Sequence, residues 1–100
     1  MFFLHLLIII SFSSNVSSDS SKLIKSLKIE KGFSIEIFAE NIETPRQIAE
    51  SDSGNIFVGS RSGGTITAIS SNKDIRVIAK GLSNSTGVSY HDGDLYFSEV

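Results

Sequence analysis

The residues of this chain that could hold or transform a ligand are few. Cysteine is absent, so there is no thiolate nucleophile, thiolate metal site or disulfide framework, and stability must come from packing. The one histidine outside the apolar N-terminus, His91, precedes an Asp92-Gly93-Asp94 turn, where an imidazole is ordinarily solvated surface rather than a base. What remains is a set of polar groups at strand ends. Arg46 and Gln47 open one strand-like run, Arg61 follows the next, Thr86 opens a third and Glu99 stands near the end of a fourth. A guanidinium offers a rigid fork of donors suited to a carboxylate or another anionic oxygen, and an amide or hydroxyl adds a directed hydrogen bond. Each also has a plainer role, an ion pair or hydrogen bond between neighbouring strands.

Charge narrows the partners. The formal net charge is −2, and the basic residues are scattered apart from Lys22, Lys25, Lys28 and Lys31, which no aromatic residue interleaves. That pattern lacks the basic stripe of a nucleic-acid surface. Residues 2–10 are apolar except for His5 and run into a Ser-rich stretch over 11–21, the shape of a secretory signal cleaved after Ser18, although a basic n-region is missing. A membrane anchor is the rival reading, but a run of about ten residues is half of the roughly twenty needed to span a bilayer. The organisation expected is therefore a signal peptide over 1–18, a lead-in over 19–30, and a folded region over 31–100.

The polar groups must be positioned by strands, because periodicity favours short extended runs throughout the folded region. Residues 34–40 and 65–69 alternate, residues 55–59 are apolar on both faces, and 74–79 and 94–97 follow in the same style. Turn signals separate them at Asp52-Ser53-Gly54-Asn55, Ser62-Gly63-Gly64, Ser71-Asn72-Lys73-Asp74 and His91-Asp92-Gly93-Asp94. Only residues 22–28 suggest a helical turn or two. The fold class is all-β.

An internal repeat gives the architecture. Ile37-Phe38-Ala39-Glu40-Asn41-Ile42 aligns with Val77-Ile78-Ala79-Lys80-Gly81-Leu82 at an offset of forty, and Ile48 and Asp52 fall on Val88 and Asp92. After a one-residue deletion, Gly54-Asn55-Ile56-Phe57-Val58 falls on Gly93-Asp94-Leu95-Tyr96-Phe97. A period near forty with four short strands is the size of a β-propeller blade, and about two blades fit here. The innermost strands, beside the central channel, would be 46–50 and 86–91, and the next strands out 56–60 and 95–100. Arg46 or Gln47 would then face the channel. Two blades cannot close a ring of four to eight, so the chain is expected to be the N-terminal part of a longer protein and inactive by itself.

The run Gly32-Phe33-Ser34-Ile35-Glu36-Ile37-Phe38-Ala39-Glu40, then Pro45-Arg46-Gln47-Ile48-Ala49, Gly54-Asn55-Ile56-Phe57-Val58-Gly59-Ser60-Arg61, Gly81-Leu82, Gly87-Val88 and Asp92-Gly93-Asp94-Leu95-Tyr96 resembles the glucose/sorbosone dehydrogenase family over residues 31–100. The resemblance implies a six-bladed propeller, periplasmic or secreted, that oxidises sugars or aldehydes with pyrroloquinoline quinone (PQQ) and calcium and passes electrons to an acceptor. It implies a histidine base and an arginine beside the quinone. That histidine cannot be carried onto His91 and is expected beyond Val100. On this reading Arg46, Gln47, Arg61, Thr86 and Glu99 are the candidate cofactor-binding residues, and no metal ligand is assigned.

The chain departs from the family pattern at Ser85 and Thr86, which stand where many relatives have Pro and Asn; a hydroxyl keeps a hydrogen bond but loses one of the amide's two functional groups. Two other functions stay open: a calcium-dependent lactonase-like propeller, which would place a metal-binding Glu where this chain has Arg46-Gln47, and a non-catalytic binding propeller. Asn84-Ser85-Thr86 is also a glycosylation sequon, meaningful only in a eukaryotic secretory route. The export expectation has a direct check: N-terminal sequencing of the extracytoplasmic protein should begin near Asp19, and an intact Met1 in the soluble cytoplasm would refute it.

Overall fold

A computed structural model describes the backbone of residues 4–10 and 17–100, with side chains from residue 20 onward. The chain forms two compact units, residues 1–42 and 43–100. In the first, β1 (Leu4–Ile10) pairs in parallel with β2 (Phe33–Glu40), and α1 (Ser17–Ser26) lies between them in sequence. The signal segment expected over 1–18 falls partly outside the described residues; its apolar core is the strand β1 here, with three consecutive β-branched residues, Ile8 to Ile10, favouring extended backbone. The helix expected at 22–28 starts earlier and ends sooner. Lys25 stands in its last turn, where a cation is favoured. Ala39 and Ile42 are buried.

The second unit carries the candidate residues. β3 (Pro45–Glu50), β4 (Ile56–Ser60), β5 (Ile66–Ile69) and β6 (Ile75–Ala79) form a four-stranded antiparallel sheet in sequence order. A separate hairpin follows, β7 (Val88–His91) with β8 (Asp94–Phe97). The protein is thus predominantly β, as its alternating runs require. β4 and β5 are the central strands, which explains the two-sided apolar run: Ile56, Val58, Ile66 and Ile69 are buried, while β6, on the edge, leaves Ile75, Val77 and Ile78 about half exposed.

The sequence repeat reappears as backbone register. β3–β4 pairs Ile48 with Val58, Ala49 with Phe57 and Glu50 with Ile56; β7–β8 pairs Val88 with Phe97, Ser89 with Tyr96 and Tyr90 with Leu95, the same partners shifted by forty on one strand and thirty-nine on the other. The lost residue is in the turn. Ser51 closes on Asn55 across three residues, whereas His91 pairs with Asp94 across two, and there Asp92 and Gly93 take φ of 48° and 85°, as a tight primed hairpin turn requires. Left-handed backbone also recurs at equivalent positions: Asn41 and Gly81, Thr44 and Asn84, Gly54 and Gly93.

Two of the turns in the sheet are one device used twice. Ser51 N donates to Asn55 O at 2.9 Å and Ser70 N to Asp74 O at 2.9 Å. In each, the serine hydroxyl accepts the N–H four residues on, at 3.1 Å for Asn55 and 3.2 Å for Asp74. The serine thereby holds a three-residue loop from inside, which explains the Ser-x-x-x-Asn/Asp spacing.

Gly59 decides how the second hairpin's lead-in can lie. A Cβ there would meet the backbone oxygens of Ser85 and Thr86, each at 2.6 Å, so the close approach of this segment to β4 needs a residue without a side chain. Gly59→Ala should therefore lower stability by about 1–3 kcal/mol, the range for overpacking a fitted interior. Urea denaturation checks this; an unchanged midpoint would mean that the segment does not press on β4.

Candidate functional site

The start of β3, the end of β4, the loop into β5, the segment 82–87 and the stretch after β8 meet at one end of the second unit. Backbone hydrogen bonds tie them: Arg61 N to Thr44 O at 3.0 Å, Leu82 N to Gly64 O at 3.0 Å, Ser98 N to Gly87 O at 3.0 Å and Val100 N to Ser83 O at 2.9 Å. All five candidate residues lie in these segments, so the structure brings them to one end of the unit. His91 is not among them. It lies at the turn end of β7, highly exposed beside Asp92 at 3.3 Å, a solvated pair of little energetic weight.

Arg46 occupies a β-bulge. Pro45 pairs with Ser60 and Gln47 with Gly59, which leaves Arg46 as the extra residue on its strand. A bulge takes a residue out of the ladder and re-aims its side chain, and Pro45 suits the strand's first position because it has no N–H to donate. Arg46 and Arg61 are both exposed, and among the described residues neither guanidinium has an ion pair or a hydrogen bond. Thr44, beside them, is a β-branched residue at φ 40°. It is held there from two sides, its hydroxyl accepting Gly63 N at 3.0 Å and its carbonyl accepting Arg61 N at 3.0 Å.

Gln47 and Glu99 have structural partners. Gln47 Oε1 accepts Val88 N at 3.2 Å, so the amide bridges the first strands of the sheet and the hairpin. The donor is a backbone N–H, which fixes the amide's orientation: its oxygen is engaged and its NH2 is turned away from Val88. Glu99 Oε2 accepts Ser83 N at 2.9 Å, anchoring the stretch after β8. Thr86 is half-buried and precedes β7 rather than opening it, because Thr86 N turns back to Asn84 O at 2.9 Å and the ladder begins at Val88. β8 likewise stops at Phe97, short of the run to Val100 read from the sequence. Beyond it the pairing is irregular, with the Ser98 hydroxyl also accepting Gly87 N at 3.2 Å.

Reading the sequence for charged groups missed the hydroxyls that build this end. Ser60 and Ser85 are fully buried. Ser85 Oγ lies 3.2 Å from Thr65 O, to which it donates, and Ser60 Oγ accepts Thr65 N at 2.8 Å. A buried hydroxyl without such partners would cost about 1–3 kcal/mol, so the three residues form one interdependent set. The sequence signal was a polar residue ending the otherwise apolar strand Ile56–Ser60. An open groove of about 390 Å³ borders the same region, lined by Gln47, Gly87, Val88, Ser89, Tyr96, Phe97 and Ser98.

The site thus offers two uncommitted cations and an oriented amide. Among the described residues no three His, Asp or Glu side chains gather as metal ligands, and no helix is long and apolar enough to cross a membrane.

Comparison with known proteins adds little chemistry. No family model matches the chain, and no solved structure matches it. It is similar to a protein of Borreliella burgdorferi (strain B31) described only as uncharacterized, with 39% identity over 89 residues, which is 87% of this chain and 23% of that protein. The chain therefore spans about a quarter of the length of this curated relative.

Proposed function

We propose that this chain contributes the first sheets of a six-bladed β-propeller, exported after removal of residues 1–18, that oxidises a sugar or aldehyde with PQQ. The observation that carries the reading is Arg46, set in a bulge at the head of the first strand of a repeated sheet, exposed and without a partner among the described residues. In a propeller built on the β3–β6 sheet, the first strand of each blade lines the channel, so β3 and β7 would be neighbours at its wall. The Gln47 bridge to Val88 agrees with that arrangement.

The chemistry of the available groups suits one part of the cofactor. PQQ carries carboxylates and quinone oxygens, all acceptors, and Arg46 with Arg61 supplies forked donors. Gln47 and Glu99, engaged with backbone N–H groups, would shape the wall; Thr86 adds one hydroxyl. Calcium finds no cluster of acidic ligands among the described residues, so this chain's share would be the anionic edge of the quinone. The bound cofactor would supply the two-electron acceptor. His91 stands at the far end of β7, and the general base belongs elsewhere in the whole protein.

Arg46→Ala in the protein expressed from its complete reading frame tests the reading. Loss of a charge-assisted hydrogen bond, worth about 1.5–3 kcal/mol, should weaken PQQ affinity on the order of ten- to a hundredfold with an unchanged melting temperature. Unchanged affinity in a protein of lower Tm would make Arg46 a structural residue and remove the basis of the proposal.

A further inference from the structure

The two hairpins present opposite faces to the chain's own packing. Tyr90 of β7 stacks on Phe57 of β4 with ring centroids 6.4 Å apart and planes 13° apart. In β7–β8 the paired residues Tyr90 and Leu95 share one face, and Ser89 and Tyr96 share the other, because successive side chains alternate. Tyr96 thus lies on the face turned away from Phe57. It is 56% exposed, a large ring on a short two-stranded hairpin.

Register identifies what Tyr96 corresponds to. Phe57 opposes Ala49 in the first hairpin as Tyr96 opposes Ser89 in the second, so Tyr96 is Phe57 of the next repeat. Phe57 receives an aromatic ring from the first strand of the following repeat. From this correspondence we infer that the Tyr96 face of β7–β8 is a docking surface for one further sheet of the same repeat in the same protein, which stacks a ring on Tyr96 as Tyr90 stacks on Phe57. The inference rests on the propeller part of the reading above and not on its chemistry.

Two observations choose that occupant. The surface repeats, one sheet along, the face on which Phe57 receives Tyr90, and the Borreliella relative is about four times as long as the stretch this chain matches, ample for further repeats of forty residues. A second copy of this chain fits worse. The position equivalent to Tyr90 in the first hairpin is Glu50, so a copy docking in the same geometry would set a carboxylate against the Tyr96 ring, whose face is itself negative.

Nitration by tetranitromethane, mapped by mass spectrometry, reads the result on the protein expressed from its complete reading frame. Tyr90, half-buried against Phe57, is the internal reference. Tyr90 and Tyr96 should both react at least about tenfold more slowly than in urea, at a rate independent of protein concentration. Tyr96 reacting as fast as in urea while Tyr90 stays protected would overturn the inference. Protection of Tyr96 that appears only as concentration rises would also overturn it, in favour of a second copy. PQQ binding measured on the same sample keeps the two readings apart: protection without binding sustains the docking surface and sinks the dehydrogenase, and binding with a reactive Tyr96 does the reverse.

Discussion

The arrangement of the second unit depends on a contact with no side chain in it. The backbone of Ser85 and Thr86 lies against β4 at Gly59, closer than any Cβ would allow, and the Ser85 hydroxyl fastens the segment by donating to Thr65 O. From that fixed point the chain enters β7 beside β3. Gln47 can then accept Val88 N, and Tyr90 can lie on Phe57, an aromatic pair worth about 0.5–1.5 kcal/mol beyond the area it covers. Without the close approach, the hairpin would have no defined place next to the sheet.

The polar groups at this end divide by what they satisfy. Ser60 and Ser85 complete the N–H and C=O of Thr65, Gln47 completes Val88 N and Glu99 completes Ser83 N, and such groups are costly to leave unpaired when buried. Arg46 and Arg61 complete none among the described residues. An exposed arginine costs little by itself, so neither needs a ligand to be tolerated. What marks Arg46 is its bulge beside Thr44, a β-branched residue in left-handed backbone. Bulges and strained residues gather at sites where a side chain has to be aimed.

Much of the fold was legible because it rests on alternation and turn chemistry, which are local. The strands β3 to β6 and the hairpin β7–β8 fall where the alternating runs and the Gly, Asn and Asp turns put them, and the offset of forty becomes a repeated register. What local patterns do not show is of long-range origin. Nothing local shows that Glu99 is committed to Ser83 N, sixteen residues away, or Gln47 to Val88 N, forty-one residues away, so the sequence leaves a ligand role and a hydrogen bond between neighbouring strands both open for each. The burial of Ser60 and Ser85 is hidden for the same reason, since a serine in a β-rich segment reads as solvent-facing until its partners are known. The helix boundary moved because the Ser-Asp run that resembles a processing site is also a good helix start.

The sheet β3–β6 and the hairpin β7–β8 are successive repeats standing side by side, with their first strands adjacent and their ladders separate. A crystal structure of the protein from its complete reading frame tests this most directly. β3 and β7 should then be neighbouring inner strands around a common axis, linked by Gln47 to Val88, with β8 continued by a third and a fourth strand. Backbone pairing of β7 with β3 or β6 as a fifth strand of one continuous sheet would contradict it.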